Sequence, residues 1–102
     1  MPKLKEEINP NNGDVRHVFD CPGCKMEHAV VTSAKSGPVW GFNNDLDRPT
    51  FTPSISVKYR YIDQTPRAIC HSFVTAGKIK FLNDCTHSLA GQTVDLPEYD
   101  AD

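Results

Sequence analysis

This sequence predicts a mainly β fold, a small antiparallel sheet and hairpin domain with little helix. Eight prolines and six glycines in 102 residues interrupt the chain too often for long helices. After Ser54 apolar and polar residues alternate with a period of two, which is typical of a half-buried β-strand. The apolar face of that strand consists of Ile55, Val57, Tyr59 and Tyr61. Four cysteines in so short a chain indicate that one structural zinc ion staples the domain.

The predicted elements are strands joined by turns. Between residues 15 and 32, two stretches rich in β-branched residues flank Cys21-Pro22-Gly23-Cys24. This arrangement predicts a β-hairpin with the cysteines at its turn. Ala76-Gly77 joins strands at 68–75 and 78–82 as a two-residue hairpin turn. The remaining elements are an edge strand within 1–9, a turn at 9–14, a strand at 39–42, loops at 43–53 and 63–67, one helical turn at 87–90 and a frayed acidic tail from Leu96.

Length and charge limit the classes of function. A chain of 102 residues builds one core, so we predict a single zinc-binding domain over 1–102, with 1–14 and 97–102 peripheral. The net charge of −2 argues against a nucleic-acid partner, because phosphate binding needs a basic surface. No apolar run exceeds three residues, so we expect no membrane span, no signal peptide and a cytoplasmic protein.

Cys21 and Cys24 enclose a tight turn, so both thiolates can reach one tetrahedral zinc ion. A redox motif of the same spacing is followed by a helix, whereas valines follow here. Cys70 and His71 are neighbours on a predicted strand and point to opposite faces, and Cys70 is assigned to the zinc. His28 leaves the turn by a short strand and is the predicted fourth ligand. The alternatives for that position are Cys85 and His87.

Five runs of residues carry a wider pattern: Phe19 to Cys24 with His28, Gly37 to Asn43, Arg48 to Ile55, Cys70 to Phe73 and Asp84 to Val94. This pattern resembles a family of small proteins common in phages and prophages. It is also similar to the peptidase component of bacterial ubiquitination-like (Bub) operons. The Pro-Ser-Ile/Val motif and the Ser-His pair of that branch correspond here to Pro53-Ser54-Ile55 and Cys70-His71. That branch has a cysteine-richer turn and lacks the segment 84–87.

The resemblance implies a serine peptidase that cleaves the C-terminal linkage of a ubiquitin-like protein. Ser54 would be the nucleophile and His71 the general base, with Asp84 or His87 orienting the imidazole. The oxyanion donor is expected in the loop at Asn43, from a backbone N–H or the side-chain amide. The implied partner is a ubiquitin-like protein or a host protein, met in the host cytoplasm if a phage encodes the chain.

Two other functions stay open on the sequence. One is a non-catalytic, zinc-stabilised phage protein that binds a host factor, and the other is a metallohydrolase with an open position on the zinc. Ser72 is a weaker candidate nucleophile on the Cys70 side of the strand. Three aromatic residues flank the predicted nucleophile and belong either to the core or to a slot for an extended peptide: Trp40, Phe42 and Phe51.

Overall fold

The computed structural model describes residues 2–59 and 68–99, and over these residues it consists of nine strands and no helix. The strands are β1 (Lys5–Ile8), β2 (Val15–Cys21), β3 (Met26–Ser33), β4 (Gly41–Phe42), β5 (Phe51–Thr52), β6 (Ile55–Tyr59), β7 (Ala68–Thr75), β8 (Lys78–Phe81) and β9 (Thr93–Asp95). They form three antiparallel sheets, ordered β1-β2-β3, β4-β5 and β6-β7-β8-β9. The predicted fold class is confirmed. In the described part of the chain, no helix has the length and apolar character of a membrane span.

Both predicted hairpins are present. β2 and β3 meet at the pair Cys21 and Met26, and the N–H of Lys25 closes the turn by donating to the carbonyl of Cys21 at 2.9 Å. β7 and β8 are joined by Ala76 and Gly77, whose φ angles of 50° and 82° are those that a two-residue hairpin turn requires. Local turn chemistry therefore determines both connections.

β7 separates two environments. Its inward residues, which include Cys70, Ser72 and Val74, are buried, whereas the alternate residues, which include His71 and Phe73, are half-buried or exposed. The inward side joins a core of large side chains with at most 1% of their surface exposed: Phe19, Phe51, Ile79, Phe81 and Leu96. Cys70 and His71 thus point to opposite faces, as the alternation predicts.

Three predicted connections differ in the structure. The loop at 43–53 contains β5, which pairs with β4 because Phe51 stacks on Phe42 at 5.1 Å within the core. Residues 87–91 form hydrogen-bonded turns that do not become a helix. The tail from Leu96 is not frayed as far as Tyr99, since Leu96 is 1% exposed and the N–H of Tyr99 donates to the carbonyl of Pro2 at 3.0 Å. The predicted loop at 63–67 and the strand position of Tyr61 lie outside the described residues.

Candidate active site and metal centre

Three polar side chains form a hydrogen-bonded chain on the outer side of β7. The Oγ of Ser54 lies 3.0 Å from Nε2 of His71, and Nδ1 of the same ring lies 3.2 Å from Oδ2 of Asp84. A hydroxyl, an imidazole and a carboxylate in this order are the parts of a nucleophile, its base and the group that orients the base. The structure therefore brings Ser54, His71 and Asp84 together.

Strand register explains why these residues meet. His71 on β7 lies opposite Ser56 on β6, and Ser54 is two residues before Ser56. Residues two apart on a strand share a face, so Ser54 is a diagonal neighbour of His71. Asp84 reaches the ring from the other side of β7, because the N–H of Leu82, just after β8, donates to the carbonyl of His71 at 2.9 Å.

Trp40 holds the backbone of Ser54. Its indole N–H donates to the carbonyl of Ser54 at 3.2 Å, while the ring packs against the core. The peptide bond just before this point, between Thr52 and Pro53, is cis. The sequence predicted Trp40 to be either core or part of a peptide slot, and no local pattern signalled this contact across fourteen residues.

Cys85 forms hydrogen bonds with the backbone of β7 at His71. Its Sγ accepts a hydrogen bond from the N–H of His71 and donates one to the carbonyl of His71, both at 3.2 Å. Both bonds go to the backbone of a single residue, so Cys85 fixes the strand where the imidazole is attached. Sequence reasoning missed this role, because it considered Cys85 as an alternative metal ligand and no local pattern pairs residue 85 with residue 71.

Accessibility distinguishes the two candidate serines. Ser54 is half-buried, and the side chains of His71 and Asp84 are 28% and 55% exposed, so a substrate can reach this group. Ser72 is 1% exposed and faces the core. A nucleophile must contact its substrate, so the burial of Ser72 rules against it.

Four side chains on the opposite side of the strand form a cluster suited to a metal ion. The ligand atoms of Cys21, Cys24, His28 and Cys70 all lie within 4.8 Å of one another, and three of these residues are buried. They are the four residues that the sequence analysis proposed as zinc ligands. Three come from the first hairpin and Cys70 comes from β7, so a metal here would join two sheets.

The turn between the first two cysteines is shaped for metal binding. The N–H of Cys24 donates to Sγ of Cys21 at 3.4 Å, and Lys25 ends the turn with a left-handed φ of 62°. An N–H directed at a sulfur favours the thiolate, which is the form that binds a metal.

The charge balance of the cluster also fits a cation. Sγ of Cys21 lies 3.8 Å from Sγ of Cys70, and the hydrogen bond between them lowers the pKa of Cys21 to about 4 and raises the pKa of Cys70. Burial opposes ionisation of both thiols, so one proton stays between them unless a cation offsets the second charge. In addition, Nε2 of His28 is buried with no hydrogen-bond partner among the described residues. The cluster could therefore hold a metal ion.

His87 lies apart from the hydrogen-bonded chain of Ser54, His71 and Asp84. Its Nε2 is 3.6 Å from Sγ of Cys70, and with Cys70 and Cys85 it forms a second group of possible ligands. Of the two residues predicted to orient His71, the structure brings Asp84 to the ring, because His87 sits three residues further on and faces the metal side.

At Asn43 both predicted oxyanion donors are engaged elsewhere, and the backbone N–H donates to the carbonyl of Thr50 at 3.2 Å. The side-chain amide of Asn43 donates to the carbonyl of Arg48 at 3.0 Å and accepts from the N–H groups of Asp45 and Thr50 at 3.2 and 3.1 Å. Asn43 therefore organises its own loop.

Comparison with known proteins identifies a family. Residues 4–82 match the family model described as "Bacterial ubiquitination-like system serine protease (BubE)". No curated protein and no solved structure matches the chain significantly. The matched region includes Ser54, His71 and the four clustered metal-type ligands, and it ends before Asp84, Cys85 and His87.

Proposed function

The chain belongs to the BubE family, the serine proteases of bacterial ubiquitination-like systems, and we propose that it hydrolyses the bond at the C-terminus of a ubiquitin-like protein. The observation that carries this proposal is the hydrogen-bonded chain from Ser54 through His71 to Asp84. The family supports the ubiquitin-like partner, and the geometry supports the identity of the reacting groups.

We propose the following role for each group. With its proton on Nδ1, held by Asp84, His71 presents the lone pair of Nε2 to the hydroxyl of Ser54. His71 takes the hydroxyl proton as Oγ attacks the carbonyl carbon, and then gives it to the leaving amine as the scissile bond breaks. Water attacks the resulting ester and loses a proton to His71, which passes it to Oγ of Ser54 as the ester bond breaks and the acid leaves.

We assign the oxyanion to the backbone N–H of Ser54. No hydrogen bond from this group is found within the described residues, and the ladder of β6 begins one residue later. An N–H on the nucleophile itself is close to the carbonyl oxygen that becomes negative when Oγ attacks.

The tail of the ubiquitin-like protein is proposed to bind as an added strand. β6 is the edge of its sheet within the described part of the chain, and it starts directly after Ser54. An extended peptide pairing with this edge would run its backbone past the nucleophile, and main-chain hydrogen bonds would supply affinity.

We propose that the metal is zinc and that its role is structural. Three thiolates and one imidazole are a typical tetrahedral zinc set, which fills every coordination position with protein atoms. Bound zinc would offset two of the three thiolate charges and tie β7 to the first hairpin. The chemistry on the substrate then belongs to Ser54.

A fused ubiquitin-like substrate with a C-terminal reporter tests the proposal. We expect the wild type to release the reporter and Ser54→Ala to lose at least about 10⁴-fold in kcat. Ser56→Ala is the matched control, because Ser56 is an exposed serine on the same strand face, and it should retain activity. Cleavage by a folded Ser54→Ala protein would contradict the proposal, whereas substrate binding without cleavage by the wild type would favour a non-catalytic binding protein.

The biological setting follows from the resemblance to phage proteins. We propose that a phage-encoded copy acts in the host cytoplasm and removes ubiquitin-like conjugates made by the host. Infected cells expressing the wild type should then contain fewer conjugates than cells expressing Ser54→Ala. Equal conjugate levels would contradict this setting.

A further inference from the structure

We propose that His87 stabilises the metal-bound thiolate of Cys70 by donating a hydrogen bond to its sulfur, and that it is neither a metal ligand nor a catalytic residue. Nε2 of His87 lies 3.6 Å from Sγ of Cys70, within the range of an N–H···S bond. This inference rests on the metal centre proposed above and not on the peptidase activity.

The hydrogen-bond partners of the ring determine where its proton is. Nδ1 of His87 lies 3.2 Å from the backbone nitrogen of Leu89, which can only donate. Nδ1 must therefore accept, and a neutral imidazole that accepts at one nitrogen carries its proton on the other. Nε2 consequently presents a proton to Cys70. A protonated nitrogen has no lone pair for a metal, so His87 is a donor to the ligand.

His28 shows the opposite state. Its Nε2 is buried and has no hydrogen-bond partner among the described residues, so this ring keeps a nitrogen available to a metal. The two histidines near Cys70 therefore differ in role, with His28 as ligand and His87 as donor.

The surroundings of the His87 ring hold it in place. Its edge packs against Phe81 with the ring centres 4.5 Å apart and the planes at 83°. The ring also lies directly against Gly23, where any Cβ would overlap it. Residue 23 must therefore be glycine, because the His87 ring occupies the space that a side chain at this position would need.

The expected effect of this contact is on the charge of the thiolate. Zinc with three thiolates and a neutral imidazole keeps a net negative charge, and a hydrogen-bond donor spreads that charge away from sulfur. The sulfur becomes harder to protonate or alkylate, and removing such a partner typically weakens metal affinity 10–100-fold. Because His87 lies beyond the family match, this feature belongs to the C-terminal segment of this chain.

The test compares His87→Phe, which keeps an aromatic ring but no N–H, with His87→Gln, which keeps a donor at a similar position. For His87→Phe we expect zinc to bind about 10–100-fold more weakly and Cys70 of the zinc-loaded protein to be alkylated faster. In the cobalt-loaded protein, the sulfur-to-cobalt charge-transfer band should move to lower energy while the tetrahedral ligand-field bands persist. His87→Gln should restore most of each property.

Two results would overturn the role of His87. One is a His87→Phe protein that matches the wild type in zinc affinity, alkylation and charge-transfer energy. The other is loss of the tetrahedral cobalt spectrum in both variants but not in His28→Ala, which would make His87 the ligand. A wild type that binds neither metal would instead remove the metal centre itself, which separates the two failures.

The tautomer can be measured without any variant. Nitrogen NMR of the zinc-loaded wild type should show the His87 proton on Nε2 and an unprotonated Nδ1. A proton on Nδ1 would contradict the proposal even if both variants failed to fold.

Discussion

The two faces of β7 carry different chemistry on adjacent residues. Cys70 faces inward and is 1% exposed, among ligands suited to a metal, whereas the side chain of His71 is 28% exposed beside a hydroxyl. A buried thiolate needs a cation to offset its charge, while a general base needs access to substrate and a free lone pair. The alternation of a β-strand provides both environments on adjacent residues, and keeps the imidazole of His71 away from the clustered cysteines.

Substituting the inner residue should have the largest effect on the fold. Cys70→Ala removes one of four ligands and leaves a buried cluster incomplete, so we expect loss of zinc and a fall of several kcal/mol in the free energy of unfolding. Denaturant unfolding with and without zinc measures this change. The matched control is His71→Ala, one residue away on the outer face, which should abolish hydrolysis yet keep zinc binding and stability. Equal destabilisation by the two variants would contradict the assignment of a structural role to the inner face alone.

Substituting Asp84 tests whether its carboxylate orients the imidazole of His71. Asp84→Asn removes the charge that holds the proton on Nδ1 of His71, so kcat should fall. Because the side chain of Asp84 is 55% exposed, we expect a loss of about 10²-fold, smaller than for a buried triad aspartate. Steady-state kinetics at saturating substrate measures it, with Asp95→Asn on β9 as control. An unchanged kcat would mean that another group orients His71.

A smaller effect is expected at Trp40. Trp40→Phe keeps most of the aromatic packing but removes the N–H that holds the carbonyl of Ser54. A neutral hydrogen bond contributes about 0.5–1.5 kcal/mol, so kcat should drop about 3–10-fold with little change in KM. Phe42→Leu, two residues away and without a described contact to Ser54, should leave kcat nearly unchanged. A rise in KM alone for Trp40→Phe would instead indicate that Trp40 contacts the substrate.

Local signals made much of the molecule predictable. The turn at Ala76 and Gly77 and the cysteine turn are specified by neighbouring residues, and strand alternation separated Cys70 from His71. Pairing across the chain was not predictable in this way. β9 forms and Leu96 is buried because this segment pairs with β8, and no sequence pattern near residue 93 indicates that pairing.

Contacts between distant parts of the chain also limited the prediction of the candidate active site. The Pro-Ser-Ile motif and strand alternation were enough to propose Ser54 and His71. They could not decide whether Asp84 or His87 orients the imidazole. Both follow β8 within a few residues, and their directions depend on the turns of the loop. The contacts of Trp40 with Ser54, and of Cys85 with the backbone of His71, were hidden because each joins distant parts of the chain.

We propose that His71 activates Ser54 while Cys70 binds the metal on the other side of the strand. The most direct measurement uses a fluorophosphonate probe, whose phosphorus forms a bond to an activated serine oxygen as fluoride leaves, followed by peptide mass spectrometry of the zinc-loaded protein. We predict labelling of Ser54 in the wild type and its loss in His71→Ala with zinc still bound. Unlabelled Ser54, or equal labelling in His71→Ala, would contradict the account.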